Sequence, residues 1–525
     1  VLENSRVLFL DFQTTGAKPG KGEILEIAWS TSESDSHSRI VRPETSVVSA
    51  FIQNLTGIND SLLCNAVSLK EVIEEWQIFL NAYSPQAIVI HYAKFEQAFL
   101  DDLLLRFNFK FSCPVLCTHE IAKRIYPNLP TRGVAGLAGY FGCSMNEKKR
   151  AADQVAATKV IWNGLQKDLA ELGIKDLNSL KEGLKNLKPE KKKKTEYPLE
   201  KSKRLNLPVN PGLYRMIGKN GEVLYVGKAT CLRDRVNSYF RGQKSRNSFK
   251  LQMLTQVWDL DVTICDSALE AALLECDEIK KWSPRYNVAL KTGQRELTFY
   301  NRDFTSAASV IDGQHMLGPI SSRNALLPLL RLNEVFKFTS ETPDIPEDLL
   351  FEKIDKQVLL EGFKIFCECY AVSHKDLQSV RGMLALGMRW YREYLKTEAL
   401  TGGDAGEGEE ALVSEDEPDS TGKDLAEYTP EEVSEKFFRL FRHSAAVIRR
   451  CKKLQRLLNC EFDITDDAGK RLKSLKVQNG LICKSDEKVS NTAMWDISTY
   501  DRLSVLSSEA KRLGIEIRSS RSLLK

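Results

Sequence analysis

Two acids in this 525-residue chain stand where an acid needs a reason. Asp11 ends the apolar run "RVLFLDF" just before a Thr-Thr-Gly turn, at the exit of a buried strand. A carboxylate there points to a metal site, but a metal site wants a second carboxylate close by, and the chain has Gln13. Glu275 is embedded in the Leu/Ala face of "LEAALLECDEIKKW", and burying an unpaired charge is costly. Two readings are open for it: a core-edge acid paired with an arginine, or a metal ligand. The stretch before it, "LPVNPGLYRMIGKNGEVLYVGKATCLRDRVNSYF", carries Tyr214, Tyr225, Lys228, Arg235 and Tyr239. Arg235 and Tyr239 are four apart and share a helix face. Tyrosines in short strands are more often core than catalytic, so neither Tyr214 nor Tyr225 counts for much alone.

The elements that must position these groups fall into several units. A chain of this length predicts two to four domains, at roughly 100–200 residues each. Its net charge of +4 is small, so the distribution of charge says more than the total. The 12 cysteines include no CxxC pair, which argues against a disulfide framework or a zinc knuckle and for reduced, cytoplasmic thiols. No apolar run reaches about 18 residues and no leader opens the chain, so a soluble protein without a membrane partner is expected. Composition breaks the chain at a Lys-rich linker, 171–204, and at an acidic Gly/Ser-rich linker, 401–428. The bland reading of Lys191, Lys192, Lys193 and Lys194 is a solvated tether; the functional one is salt-sensitive contact with phosphates. Residues 1–170 alternate strand-like and helical runs, an α/β pattern. Residues 205–295 read strand, turn, strand, helix, strand, helix, with "KNG" as the hairpin turn. The remainder divides into 296–400, mixed and partly helical, and a C-terminal α/β region, 429–525.

Within the first unit, "LFLDFQTTG", "IVIHYAKFEQAFL" (88–100) and "KRAADQVAAT" (149–158) resemble the three motifs of the DnaQ-like (DEDDh) 3′–5′ exonucleases. The stretches "LTGIN" and "LCTHEIAKRIYPNLP" sit where that family has its loop and next helix. The resemblance implies an RNase H-like fold. It also implies four carboxylates holding two divalent ions, with a histidine to activate water. By position that set falls on Asp11, Gln13, Glu96, Lys149 and Gln154: two acids have become amides, one Asp has lengthened to Glu, and a lysine replaces the base. Asp153 does not substitute for Gln154, because one residue along a helix turns the side chain by about 100°. A scaffold that has lost its chemistry is expected, with DNA binding still possible through Lys149.

The second unit is similar to the small α/β GIY-YIG nuclease domain, in the form found in the excision-repair nuclease UvrC and its shorter relative Cho. Gly212-Leu213-Tyr214 and Tyr225-Val226-Gly227 stand for the name motifs, and "IKKWSPRYNV" matches that subtype. The resemblance places catalytic roles on Tyr214, Tyr225, Lys228, Arg235, Tyr239 and Asn287. It makes Glu275 the ligand of one Mg²⁺ or Mn²⁺. Arg235 would offset charge on the phosphate, Tyr225 would orient or deprotonate water, and Asn287 would position the Glu275 loop or a phosphate. A phenol with a pKa near 10 is a poor base at neutral pH, so Lys228 and the metal would have to help.

"HMLGPISSRNALLPLLRLNEVF" (315–336) is similar to the segment that follows this domain in UvrC and Cho. No Gly-x-Gly hairpin signature or UvrB-contacting motif is legible beyond it. The expected fold class is therefore multidomain α/β: an RNase H-like exonuclease fold, a GIY-YIG domain and a mixed, partly helical C-terminal region. The expected function is a metal-dependent, structure-specific DNA endonuclease of bacterial type, nucleoid-associated, incising damaged or gapped double-stranded DNA in nucleotide excision repair. A UvrB-like helicase is the expected partner. The alternatives are an active exonuclease tethered to DNA by the second domain, and a non-catalytic DNA-binding adaptor.

Overall fold

The architecture is that of a computed structural model. It describes all residues except 1, 3–4, 34–35, 46, 110, 147, 188–194, 242–246, 289, 292–294, 322–325, 338–343, 351–353, 402–427, 466–470, 484–494 and 520–525.

Strand β1 (Val7–Thr14) is apolar on both faces because both are covered. Val7 and Phe9 pack with Val155, Trp162 and Leu165, while Leu8, Leu10 and Phe12 pack with Val72, Trp76 and Leu80. The two sets alternate along the strand, as the period of two requires. The sheet runs β3 (His37–Ile40), β2 (Ile24–Thr31), β1, β4 (Ala87–Ile90), β5 (Val115–Cys117). β2 is antiparallel to β1, and β4 and β5 are parallel to it and to each other in turn. Helix Leu69–Tyr83 covers one face, started by a capping box between Ser68 and Glu71. Helix Ala151–Glu171 covers the other, on the side to which Asp11 belongs by alternation.

The structure corrects the linker expected at 171–204. Helix Leu177–Asn186 follows, capped by Asp176, and Leu180 is fully buried against the first domain with Leu177, Leu184 and Leu187 beside it. The leucines recur at spacings of three and four, a helical stripe that the surrounding lysines mask in a composition scan. Leu199 already belongs to the next core. Lys191, Lys192, Lys193 and Lys194 lie outside the described residues.

The second domain is a three-stranded antiparallel sheet in the order β7 (Val223–Ala229), β6 (Gly212–Ile217), β8 (Asp259–Ile264). Gly221, at φ 82°, makes the hairpin turn. Between helix Leu232–Phe240 and β8 the chain inserts a further helix, Ser248–Gln256, absent from the element order read in the sequence. Its apolar stripe is short, and it buries Thr255 and Gln256 along with Met253 and Leu254. It docks on helix Val134–Tyr140 of the first domain. Gly139 permits that approach, since a Cβ there would stand 1.8 Å from the Gln256 amide. Trp258 Nε1 donates to the Tyr140 carbonyl at 3.1 Å, and the two rings pack at 5.2 Å.

The sheet of β10 (Ala307–Ala308), β9 (Leu297–Asn301) and β11 (His315–Ser321) leads into helices Leu326–Lys337, Lys356–Cys369 and Val380–Thr401. The boundary placed at 428/429 does not separate two cores. The helix that follows, Pro430–Leu457, sends Val433, Phe437 and Phe441 into the cluster of Phe363, Phe366 and Trp390. Its far end sends Leu454 and Leu457 to the sheet β14 (Leu481–Cys483), β13 (Arg471–Gln478), β12 (Cys460–Thr465), β15 (Ile517–Ser519). Helix Ile497–Arg512 completes this last layer, and its Leu503 and Leu506 share a core with Leu269 and Leu273 of helix Ala268–Trp282. Arg502 pairs with Asp277 at 2.7 Å, and buried Asp501 with Arg295 at 2.9 Å. The C-terminal region is thus seated directly on the helix that carries Glu275.

Candidate active site

In β6 and β7 the register puts Tyr214 opposite Gly227 and Met216 opposite Tyr225, so the two tyrosines share a face. Leu213 and Lys228 are paired on the other face, toward helix Ala268–Trp282. Gly227 is required by that arrangement: a Cβ would stand 2.4 Å from Tyr214 Oη. Helix Leu232–Phe240 brings Tyr239 to the same place. Tyr214 and Tyr239 hydroxyls bond at 2.9 Å, and Tyr239 Oη donates to Tyr225 Oη at 3.4 Å. The Arg235 guanidinium lies 5.4 Å from the centre of the Tyr239 ring, and Lys250 Nζ 4.6 Å from it. Burial, then the neighbouring phenols, push the Tyr214 and Tyr225 pKa values above the ordinary phenol range. Burial works against the Arg235 charge, but the three phenols more than offset it and its pKa rises.

Glu275 is neither exposed nor paired with an arginine. Its Oε1 accepts from the Lys228 backbone N–H at 3.0 Å, and its Oε2 stands 4.0 Å from Lys228 Nζ. Burial raises its pKa, and the Lys228 charge opposes the rise. Tyr214, Tyr225, Lys228, Arg235 and Glu275 line one cavity of about 310 Å³. Asn287 is placed differently from expectation. It is buried and both ends of its amide are taken by Val226, Oδ1 accepting from the N–H at 2.9 Å and Nδ2 donating to the carbonyl at 2.8 Å. It is absent from the cavity wall and clamps the free edge of β7 between Tyr225 and Gly227.

Two residues of this cavity were not legible in the sequence: Glu509 and Arg512, from helix Ile497–Arg512. Glu509 Oε1 bonds Lys228 Nζ, 281 positions away. No local motif marks "SSEAKRLG" as anything but an amphipathic helix end.

In the first domain, the structure brings together Asp11, Gln13 and Glu96. Gln13 Nε2 donates to Asp11 Oδ2 at 2.9 Å. Burial, reinforced by the Glu96 charge, raises the Asp11 pKa well above the carboxylate range, against the Gln13 hydrogen bond. Burial pushes Glu96 up to about 7, and its Oε2 has no hydrogen-bond partner among the described residues. Lys149 is exposed, held by its backbone N–H on the Leu55 carbonyl at 2.9 Å. Gln154 is half-buried on helix Ala151–Glu171. Asp153 accepts from Asn146 Nδ2 at 3.0 Å. A further acid, Glu26, is fully buried on β2 opposite Gln13, but Arg150 binds it through two N–H groups at 2.9 and 3.1 Å. Its Oε2 also caps the Ala151 N–H at 2.8 Å. Among the described residues no group of three or more His, Cys, Asp or Glu side chains forms a metal cluster.

Comparison with known proteins bears on both sites. Residues 8–159 match the family model described as Exonuclease, and residues 210–288 match that of the UvrC-like GIY-YIG domain. The chain joins an exonuclease domain to a UvrC-like GIY-YIG nuclease domain. A putative bifunctional exonuclease/endonuclease protein of Mycobacterium tuberculosis is 30% identical over 254 residues, covering 47% of this chain and 37% of that one. The UvrABC system protein C of Clostridium novyi is 36% identical over 133 residues, covering 24% of this chain and 21% of that one. The chain therefore spans about a third and about a fifth of the length of these relatives. The solved GIY-YIG N-terminal endonuclease domain of UvrC from Thermotoga maritima, bound to magnesium, is 32% identical with a TM-score of 0.15. It covers 17% of this chain and 93% of that one. Among the described residues no helix is long and apolar enough to cross a membrane.

Proposed function

We propose that the chain is a divalent-metal-dependent DNA endonuclease whose incision site is the cavity of the second domain, the first domain having kept its fold and lost its hydrolysis. The observation that supports this best is Glu275: a half-buried carboxylate with one oxygen spent on a backbone N–H, set on the wall of the cavity that Lys228, Arg235 and Tyr225 also line. These residues fit one Mg²⁺ or Mn²⁺, since Glu275 Oε2 makes no hydrogen bond among the described residues. When bound, the ion supplies Lewis-acid polarisation of the phosphate and leaving oxygen. Arg235 offsets charge developing on the phosphate, as a preorganised donor that costs no reorganisation. Tyr225 orients the attacking water; its raised pKa makes it a weaker acid than free phenol, so it acts through the hydroxyl chain with Tyr239 and Tyr214 rather than as a standing phenolate. Asn287 and Gly227 hold β7 so that Tyr225 and Lys228 stay in register.

In the first domain Gln13 places a donor where a metal shell needs an acceptor. The remaining acids, Asp11 and Glu96, supply two charges where two divalent ions need several. On the likeness to relatives named UvrABC system protein C, the proposal extends to damaged or gapped duplex as substrate and to a UvrB-like helicase as partner in a cytoplasmic, nucleoid-associated setting. The test is product analysis of the full chain with Mg²⁺ on gapped, lesion-bearing and intact duplex, with and without a UvrB-type helicase. Internal incision products, absent in chelator, are expected; mononucleotides released from 3′ ends would contradict the assignment. Arg235→Ala is expected to slow incision by about 10²–10³.

A further inference from the structure

The nuclease cavity is not walled by the nuclease domain alone. Glu509 is 8% exposed, yet its carboxylate is not spent on the C-terminal core from which it projects. One oxygen receives Lys228 Nζ of the nuclease domain, and the other accepts Arg512 Nε at 2.9 Å and Nη2 at 2.6 Å. Lys228, whose side chain is 36% exposed, is thereby fixed beside Glu275 instead of sweeping through solvent. Arg512 is fixed in turn, with its Nη1 making no hydrogen bond among the described residues. It lines the same cavity as Arg235 and keeps 53% of its side chain exposed.

A pinned, half-exposed guanidinium that lines one cavity with a second arginine matches an oxyanion rather than an apolar or cationic ligand. On the proposed reading of the cavity as an incision site, that oxyanion is a phosphate of the DNA strand. We propose that helix Ile497–Arg512 is a working part of the site: Glu509 is a positioning residue that holds Lys228 against Glu275, and Arg512 takes a phosphate adjacent to the scissile one. A shielding helix would bury the groups it covers. Here the covered Lys228 keeps 36% of its side chain exposed, which favours a completed site over a closed one. The helix is rigidly supplied, through the Arg502–Asp277 pair and the shared core of Leu269, Leu273, Leu503 and Leu506.

The experiment uses the full chain with Mg²⁺ and a gapped duplex, measuring kcat and KM for Glu509→Gln, Arg512→Gln, Arg512→Lys and Glu275→Gln. Glu509→Gln keeps the shape and removes the charge; it is expected to lower kcat about tenfold to a hundredfold, as small misplacements of a catalytic array do. Arg512→Gln is expected to raise KM and to reduce the slope of log binding against log salt by about one, the loss of one phosphate contact. Arg512→Lys should restore most of that slope, which a merely structural arginine would not require. Unchanged kcat and salt slope in the Glu509 and Arg512 variants, with Glu275→Gln inactive, would overturn this inference and leave the incision site standing. Faster cleavage in those variants would overturn it in favour of a lid. An active Glu275→Gln would instead remove the reading on which it rests.

Discussion

Asn287 offers a direct way to separate a scaffold role from a catalytic one. β7 is an edge strand, and Val226 turns its N–H and carbonyl away from β6 toward that edge. The Asn287 amide satisfies both, as a neighbouring strand would, and the Tyr286 N–H adds a bond to the Leu224 carbonyl at 3.0 Å. Replacing Asn287 by Ala removes two buried hydrogen bonds worth about 1 kcal/mol each and leaves the Val226 groups desolvated, so local stability falls by about 2–4 kcal/mol. At 1.4 kcal/mol per tenfold, amides of 223–229 should exchange with solvent about thirty to a thousand times faster. Peptide-level hydrogen exchange on the full chain reads this, and incision should fall about tenfold to a hundredfold because Tyr225 and Lys228 lose their register. Asn287→Asp keeps the acceptor for the Val226 N–H but sets a carboxylate oxygen against its carbonyl, so exchange should accelerate as much. Unchanged exchange with incision abolished would refute the clamp and return Asn287 to direct contact with phosphate or ion.

Other outcomes follow from the first domain. Arg150→Ala leaves the fully buried Glu26 without its counter-charge and is expected to destabilise the domain by about 3–5 kcal/mol, measured as a fall in its urea midpoint; Arg150→Ala with Glu26→Gln should recover much of the loss. Glu96, with its pKa raised to about 7 in the folded chain, binds its proton more tightly there than when unfolded, so its contribution is fully present below about pH 4.5 and is lost as pH rises through 7. Glu96→Gln should therefore raise the urea midpoint at pH 8 and change it little at pH 4.5; a fall at pH 8 would show the carboxylate to be needed ionised. The full chain carrying Glu275→Gln should release no nucleotides from single-stranded or 3′-recessed DNA, and release that disappears on Asp11→Ala would prove the first site active.

What the sequence displays and what it hides divide along the range of the interactions. Tyr214, Tyr225, Lys228 and Arg235 lie within a hairpin and the helix after it, so one contiguous stretch spells the site, and Glu275 betrays itself by sitting in an apolar face. Gln13 is equally legible because its place in the motif fixes its neighbour as Asp11, and the Gln13–Asp11 hydrogen bond is the local consequence. Glu509 reaches Lys228 only through tertiary packing of two leucine faces, and neither face announces its partner. Helix Leu177–Asn186 was hidden differently: its leucines are regular, but lysines dominate the window in which composition is counted. The residue type of Asn287 leaves its role open in the sequence, because an amide at that position looks alike whether it holds a phosphate or a strand, and its bonds to Val226 arise only on folding.

On the proposed function, incision belongs to Glu275 and Asp11 takes no part in it. The most direct measurement compares single-turnover cleavage of one gapped duplex with Mg²⁺ by the full chain, by Glu275→Gln and by Asp11→Ala. No incision is expected from Glu275→Gln and an undiminished rate from Asp11→Ala; near-normal incision by the first, or loss of it in the second, would contradict that assignment.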